Sequence, residues 1–351
     1  MLCMILVSCT GQKTGKENDN NDKIAIEVGE IKFPPQDVLQ LKSYYLSSSV
    51  HVDSIDYLIG YNYRLHSLDC MNLKSKSVTQ IVLPGDGPDA IVRLSGIYAQ
   101  SLDSVWISDE SERAFLIDSV GTIKRMIVLK KYLEDQEQLL INTNYAMFTS
   151  HLFYNASRHS LMFLVKHTPS NTFIVKEVFI DEVGKMATYQ LSSSKVVPDM
   201  SKGYAYINFP NVNFVGENIV YNYPVESSIY MLDIRTNERK YILADSHYTS
   251  NIIEKCTTSG DYATLEKHWL ENSHFYDIMY LPKYKIYARL HADKVDFDEK
   301  KGMEKLINER DLYLMLFDEN MEKIGETKLA NCRYSPFTSW NATYGGIALF
   351  V

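Results

Sequence analysis

Nine histidines, five cysteines and 44 acidic residues are the side chains here best suited to catalysis or metal binding. Their spacing assembles no known machinery. No two histidines stand two or four residues apart, so no strand or helix face carries a ligand pair. No cysteines form a C-x-x-C pair, and there is no G-x-S-x-G nucleophile turn and no G-x-x-x-x-G-K-[ST] phosphate loop. His268 and His274, with Glu266 and Trp269 beside them, come nearest to a cluster and read as a surface loop. Asp293, Asp296, Asp298 and Glu299 read as a solvated acidic stretch. Gly85-Asp86-Gly87-Pro88-Asp89 lacks the ligand spacing and bidentate glutamate of an EF-hand and reads as a connecting loop. The expectation is no catalytic residue, no metal and no cofactor.

Aromatic rings are the other chemistry on offer. The chain holds 25 Tyr and 14 Phe against only 16 Gly. Tyr presents a rigid amphipathic surface that suits sugars, peptides and protein partners. Tyr204, Tyr206, Phe209, Phe214, Tyr221 and Tyr223 form the candidate binding set. The competing reading packs these same rings between structural repeats.

Strands are the elements that would position such rings, because aromatic and β-branched residues favour a pleated, half-buried surface. One unit recurs five times: an apolar strand, a second strand ending in Asp, a polar turn, then a third strand. The clearest copy runs Ser104–Asp109, Arg113–Asp118, Ile123–Leu129. The anchoring residues are Asp69, Asp118, Asp181, Asp233 and Asp318, each expected to accept backbone N–H groups of the turn that follows. Repeats on this scale are those of propellers. The predicted fold is all-β: a β-propeller of six blades, mostly of four antiparallel strands, closed by pairing of N- and C-terminal strands. The single domain spans 24–351, with a polar, helix-prone insertion near 294–310. The N-terminal share would come from 24–28 and 39–45, the C-terminal share from 337–340 and 346–351. Two packed β-sandwiches would explain the strands but not the fivefold recurrence.

The start of the chain is different. Met1–Ser8 is apolar, and Leu6-Val7-Ser8-Cys9 resembles a bacterial lipobox, which implies removal of residues 1–8 and lipidation of Cys9. No basic residue precedes the apolar run, so translation is expected to start further upstream. Residues 9–23, polar and rich in Asn and Asp, are expected to be a flexible tether. More than one acyl chain on Cys9 would suffice for stable anchoring. Cys70, Cys256 and Cys332 remain, read as buried thiols, with a disulfide between two of them as the alternative. The net charge of −8, with both signs interspersed, argues against a nucleic-acid partner.

The lipobox, the Asp-turn repeats and the run Leu83-Pro84-Gly85-Asp86-Gly87-Pro88-Asp89 leading into Leu94-Ser95-Gly96-Ile97-Tyr98 together resemble uncharacterised six-bladed propeller lipoproteins of the Bacteroidota. The resemblance implies the fold and a place in the cell envelope, as an outer-membrane lipoprotein facing the periplasm or the surface. It carries over no catalytic residue. The expected function is a lipid-anchored, non-catalytic binding module for an envelope protein, peptide or glycan. One alternative is a glycan-acting hydrolase or lyase with acids in the central funnel; another is a structural part of an envelope assembly.

Overall fold

The computed structural model describes residues 2–9, 24–33, 44–140, 152–197, 209–256, 261–329 and 339–350. Five blades are each built from consecutive strands. Blade 1 comprises Ser47–Val52, Ile55–Asn62, Ser67–Asn72 and Val78–Val82; blade 2 comprises Leu94–Ser101, Ser104–Asp109, Arg113–Ile117 and Ile123–Val128. In blade 3 the innermost strand is in two pieces, Glu137–Leu139 and Phe153–Asn155, which both pair with Ser160–His167; Thr172–Phe179 and Met186–Gln190 follow. Blade 4 is Asn211–Val215, Asn218–Asn222, Ile229–Asp233 and Arg239–Ile242, and blade 5 is His274–Leu281, Ile286–Ala292, Leu312–Phe317 and Lys323–Lys328.

A further sheet joins the two ends of the chain. From the inside outward it runs Trp340–Ala342, Gly346–Phe350, Leu2–Cys9 and Ile24–Ile31. Six blades were expected; five are blades of consecutive strands, and the sixth sheet is shared between the termini, each end contributing two of its described strands. Leu2–Cys9 lies between Gly346–Phe350 and Ile24–Ile31, so the segment read as a removable leader is here a strand, with Cys9 opposite Ile24. Most of the expected tether lies outside the described residues, as do Tyr204, Tyr206 and Cys332.

Burial explains the sequence of each strand. A middle strand is covered on both faces by neighbouring sheets, so Ile286–Ala292 and Leu312–Phe317 are buried throughout. An outer strand touches water, and Met186–Gln190 alternates exposed and half-buried. Six apolar clusters lie between the sheets, one for each neighbouring pair. Cys70 is buried in one of them, and burial, with a smaller effect from Asp69, pushes its thiol up to about 12.

Among the described residues two α-helices interrupt the strands. Tyr262–Leu270, α1, was not foreseen; its signal was Asp261, whose side chain accepts the Ala263 N–H as an N-cap. Met303–Glu309, α2, falls in the insertion read as helix-prone. No helix among the described residues is long and apolar enough to cross a membrane.

Candidate functional site

The topology gives the ring two unlike faces. Within the five blades, turns from first to second strand and from third to fourth open on one face and span two to six residues. The connections between blades open on the other face, and the longest, 243–273, carries α1. The insertion between Ile286–Ala292 and Leu312–Phe317 also opens there and carries α2. These are a turn face and a loop face, and binding residues concentrate on loops held by a rigid scaffold.

Short polar side chains hold the turn face. Asp118 accepts the N–H groups of Val120 and Thr122, Asp233 those of Arg235 and Thr236, and Asp318 those of Asn320 and Glu322. Lys124 holds the Asp118 carboxyl down at about 2, outweighing burial, and the turn amides of Thr122 and Val120 add smaller contributions. Gly121 in the same turn has φ +84°, and a Cβ there would sit 2.2 Å from the Val82 carbonyl oxygen, so only glycine fits. Two of the five aspartates depart from the expected role. Asp69 is buried inside its strand and accepts from Tyr44 Oη, Asn62 Nδ2 and Gln80 Nε2, while Asn72 accepts the turn amides of Lys74 and Ser75. Asp181 is exposed and pairs with His159 and Arg125.

Longer side chains hold the loop face. Tyr221 Oη accepts the Ser192 N–H, Tyr223 Oη donates to the Ser192 carbonyl, and Tyr230 Oη accepts the Lys195 N–H while donating to Glu226. These three tyrosines therefore fasten the connection between blades 3 and 4. Tyr221 is 1 % exposed and stacks on Tyr230 with centroids 5.2 Å apart; Tyr223 is 2 % exposed. The expected binding role of Tyr221 and Tyr223 is corrected here: both rings lie in the core between blades, out of a ligand's reach. Phe214 packs 6.1 Å from Phe153, and half-buried Phe209 lies 5.8 Å from Phe173 with the Lys166 ammonium 5.1 Å from its ring. Four of the six candidate rings thus serve interblade packing, and the other two fall outside the described residues.

Arginines fasten loops in the same way. Arg289, wholly buried between the rings of Phe275 and Phe317, donates to the carbonyls of Ser227 and Ala244. Burial pulls its guanidinium down to about 9 against the nearby Glu326, Asp245 and Glu226. Arg310 donates to the carbonyls of Asp293 and Asn272, which ties the α2 insertion to the α1 connection. Between these two segments lies a polar cavity of about 460 Å³, lined by Lys255, Lys267 and Lys294 and by Glu254, Glu271 and Asp296 among others. His268 borders it and hydrogen-bonds the Glu254 carbonyl through Nε2, whereas His274 is buried in blade 5 and held neutral by burial and by Arg310. No group of three His, Cys, Asp or Glu side chains among the described residues could hold a metal ion.

The inner strands close into a ring around the axis. Ser49 bonds the Ala342 carbonyl, Ser48 Oγ accepts the Ala99 N–H, and Tyr98 and Phe214 both contact Phe153. Asn213 donates to the Ile278 carbonyl, and the Trp340 indole N–H donates to Asp277. The first strand of blade 5 has a bulge between Phe275 and Ile278. Asn211 and Asn222 clamp the Phe275 carbonyl as Asn213 clamps that of Ile278. Ile278 packs in the cluster toward blade 4, whereas Tyr276 and Met279 pack in the cluster toward the terminal sheet. Asp277 is the extra residue, and its side chain is buried between Trp340 of the terminal sheet and Asn213 of blade 4. Burial raises its carboxyl to about 7, partly offset by the bond from Trp340. The sequence reading missed Asp277; nothing in His-Phe-Tyr-Asp-Ile-Met announces a bulge.

These features define a β-propeller with one elaborated face. A family model, the domain of unknown function DUF4221, matches residues 17–328, and the chain belongs to that family. It is similar to a DUF4221 family member from Bacteroides vulgatus, with a TM-score of 0.67 and 14 % identity over 85 % of this chain and 84 % of that one. It is also similar to BF0058 from Bacteroides fragilis, with a TM-score of 0.49 and 13 % identity over 85 % of this chain and 74 % of that one. No curated protein matches the chain in sequence.

Proposed function

We propose that this chain is a non-catalytic binding propeller of the cell envelope that presents its loop face to a protein, peptide or glycan. The observation that carries this reading is the asymmetry of the ring. Long connections, both helices and the polar cavity share one face, and buried Tyr and Arg side chains fix their backbone in place. Glycosidic cleavage would need two carboxylates facing one substrate. The described inner strands carry two acids, Glu137 and Asp277, and Glu137 is tied to Lys176 at 2.5 Å. That distribution supports binding over glycan hydrolysis.

Photo-crosslinking residues at exposed Tyr63 and Tyr248 on the loop face, and at Val120 and Val183 on the turn face, test this in native envelopes. One defined partner captured from the loop-face positions alone is expected. Equal capture from both faces, or from the turn face alone, overturns the reading.

The proposed attachment is a lipid on Cys9 in the outer membrane, supported by the lipobox and the polar stretch after it. It requires removal of residues 1–8, and Leu2–Cys9 is a strand of the terminal sheet; the two states are exclusive. An intact mass beginning at acylated Cys9 supports the anchor, and an intact mass retaining Leu2–Ser8 rules it out.

A further inference from the structure

We infer that the polar cavity on the loop face binds a small zwitterion, a short peptide or an amino acid with its ammonium and carboxylate groups both free. This rests on the reading of the loop face as the binding face and names a ligand chemistry for it. The cavity, of about 460 Å³, is within the size range of small-ligand sites. Three segments wall it. Residues between 250 and 256 come from the connection between blades 4 and 5, Lys294 and Asp296 from the insertion, and Thr264, Lys267, His268 and Glu271 from α1 and its C-cap. Lys267, His268 and Glu271 follow Thr264 by three, four and seven residues, so the four share one helix face. Trp269 and Leu270, on the opposite side of α1, pack in the core.

The walls are fastened to one another. Asn272 Oδ1 accepts the Glu254 N–H while its Nδ2 donates to the His268 carbonyl, and His268 Nε2 bonds the Glu254 carbonyl in turn. The Val295 N–H donates to the Leu270 carbonyl, and Arg310 joins the carbonyls of Asn272 and Asp293. A site whose backbone is already fixed loses little freedom on binding.

The charges decide what fits. Three lysines and three acids line the cavity. Of these only Lys267 and Glu271 form an ion pair, at 3.9 Å; Lys255, Lys294, Glu254 and Asp296 form none among the described residues. A lone anion or a lone cation would be repelled by as many of these groups as attract it. An apolar ligand would meet one aliphatic side chain, Ile252, and a sugar would find no Tyr, Trp or Phe to stack on. A ligand of both signs reaches a lysine and an acid at once, so a single loss of translational freedom yields two charge-assisted hydrogen bonds.

The test titrates the full chain, at about pH 7 where all six groups are charged, with an equimolar mixture of dipeptides. The same mixture acetylated at the N-terminus, the same mixture amidated at the C-terminus, and a mixture of free amino acids are titrated separately. The readout is the backbone amide resonances of Lys255, Lys267 and Lys294, with Gly121 on the turn face as the control. Saturable shifts at the three lysines and none at Gly121 are expected, with the midpoint about tenfold or more higher when either terminus is blocked. Either order of midpoints between dipeptides and amino acids supports the zwitterion and names its source. No shift with either unblocked mixture, or equal midpoints for free and blocked dipeptides, overturns the proposal. Lys255, Lys294, Glu254 and Asp296 are exposed, so replacing them leaves the core intact. Lys255→Ala with Lys294→Ala is expected to abolish discrimination against the amidated mixture, and Glu254→Ala with Asp296→Ala that against the acetylated one; discrimination kept in both overturns the assignment of these charges. Partner capture at Tyr63 and Tyr248 is a separate readout, so failure of the titration leaves the binding reading standing and failure of capture leaves the titration decisive.

Discussion

The two faces of the ring solve one problem, holding irregular backbone in place, with different side chains. On the turn face the carboxylates of Asp118, Asp233 and Asp318 reach amides two to four residues away. On the loop face the backbone to be held lies tens of residues away, and the fasteners are tyrosine hydroxyls and guanidinium groups: Tyr221 and Tyr223 to Ser192, Arg289 to Ser227 and Ala244, Arg310 to Asn272 and Asp293. Reach explains the choice. A short acid can only close a local turn, whereas a ring or an arginine can bury its body between blades and extend a polar tip to a loop. A turn is therefore a local feature, and the loop face is a product of the core.

That contrast breaks most visibly at Tyr230, whose ring stacks on Tyr221 and whose hydroxyl joins Glu226 to Lys195. Tyr230→Ala is expected to cost about 3–5 kcal/mol in denaturant unfolding, and Tyr230→Phe only about 1 kcal/mol. Equal losses would mean that the hydroxyl, not the ring, holds this part of the loop face.

Asp277 is expected to make stability depend on pH. Its carboxyl binds a proton more tightly folded, at about 7, than at its ordinary 3.8. The contribution is full below about pH 4 and is lost as pH rises through 7, by an amount on the order of 4 kcal/mol. Asp277→Asn should flatten that decline, so the variant gains on the parent chain as pH rises from 5 to 8. Parallel pH profiles of melting temperature would refute it.

The smallest effect is expected on the turn face. Asp118→Ala removes two turn bonds, for which about 1 kcal/mol is expected, with no change in partner capture from Tyr63. A loss of capture would mean that the two faces are coupled through blade 2.

Some of this was legible in the residues. Arg113–Asp118 followed by Ser119-Val120-Gly121-Thr122 spells strand, acid and turn, because each part depends on neighbours in sequence. The same pattern misled at Asp69. There Asn72 closes the turn, and Asp69 is drawn inward by Tyr44, whose ring lies where a Cβ on Gly60 would be 2.5 Å away. Tyr44 is 25 residues from Asp69, a separation that no local pattern reports. α1 had a readable signal in Asp261, a single N-cap residue in an otherwise strand-rich chain.

The sequence by itself determined the all-β class, the repeat, the turn-forming acids at Asp118, Asp233 and Asp318, and the abundance of tyrosine. These follow from alternation, composition and interactions within a few residues. Only the tertiary structure decided which rings are buried, that five blades are joined by a sheet shared between the termini, and that Asp277 is buried at a bulge beside Trp340. Burial and register depend on which sheets face each other, and a bulge is clamped by asparagines 64 and 65 residues away; no single stretch of chain contains that information.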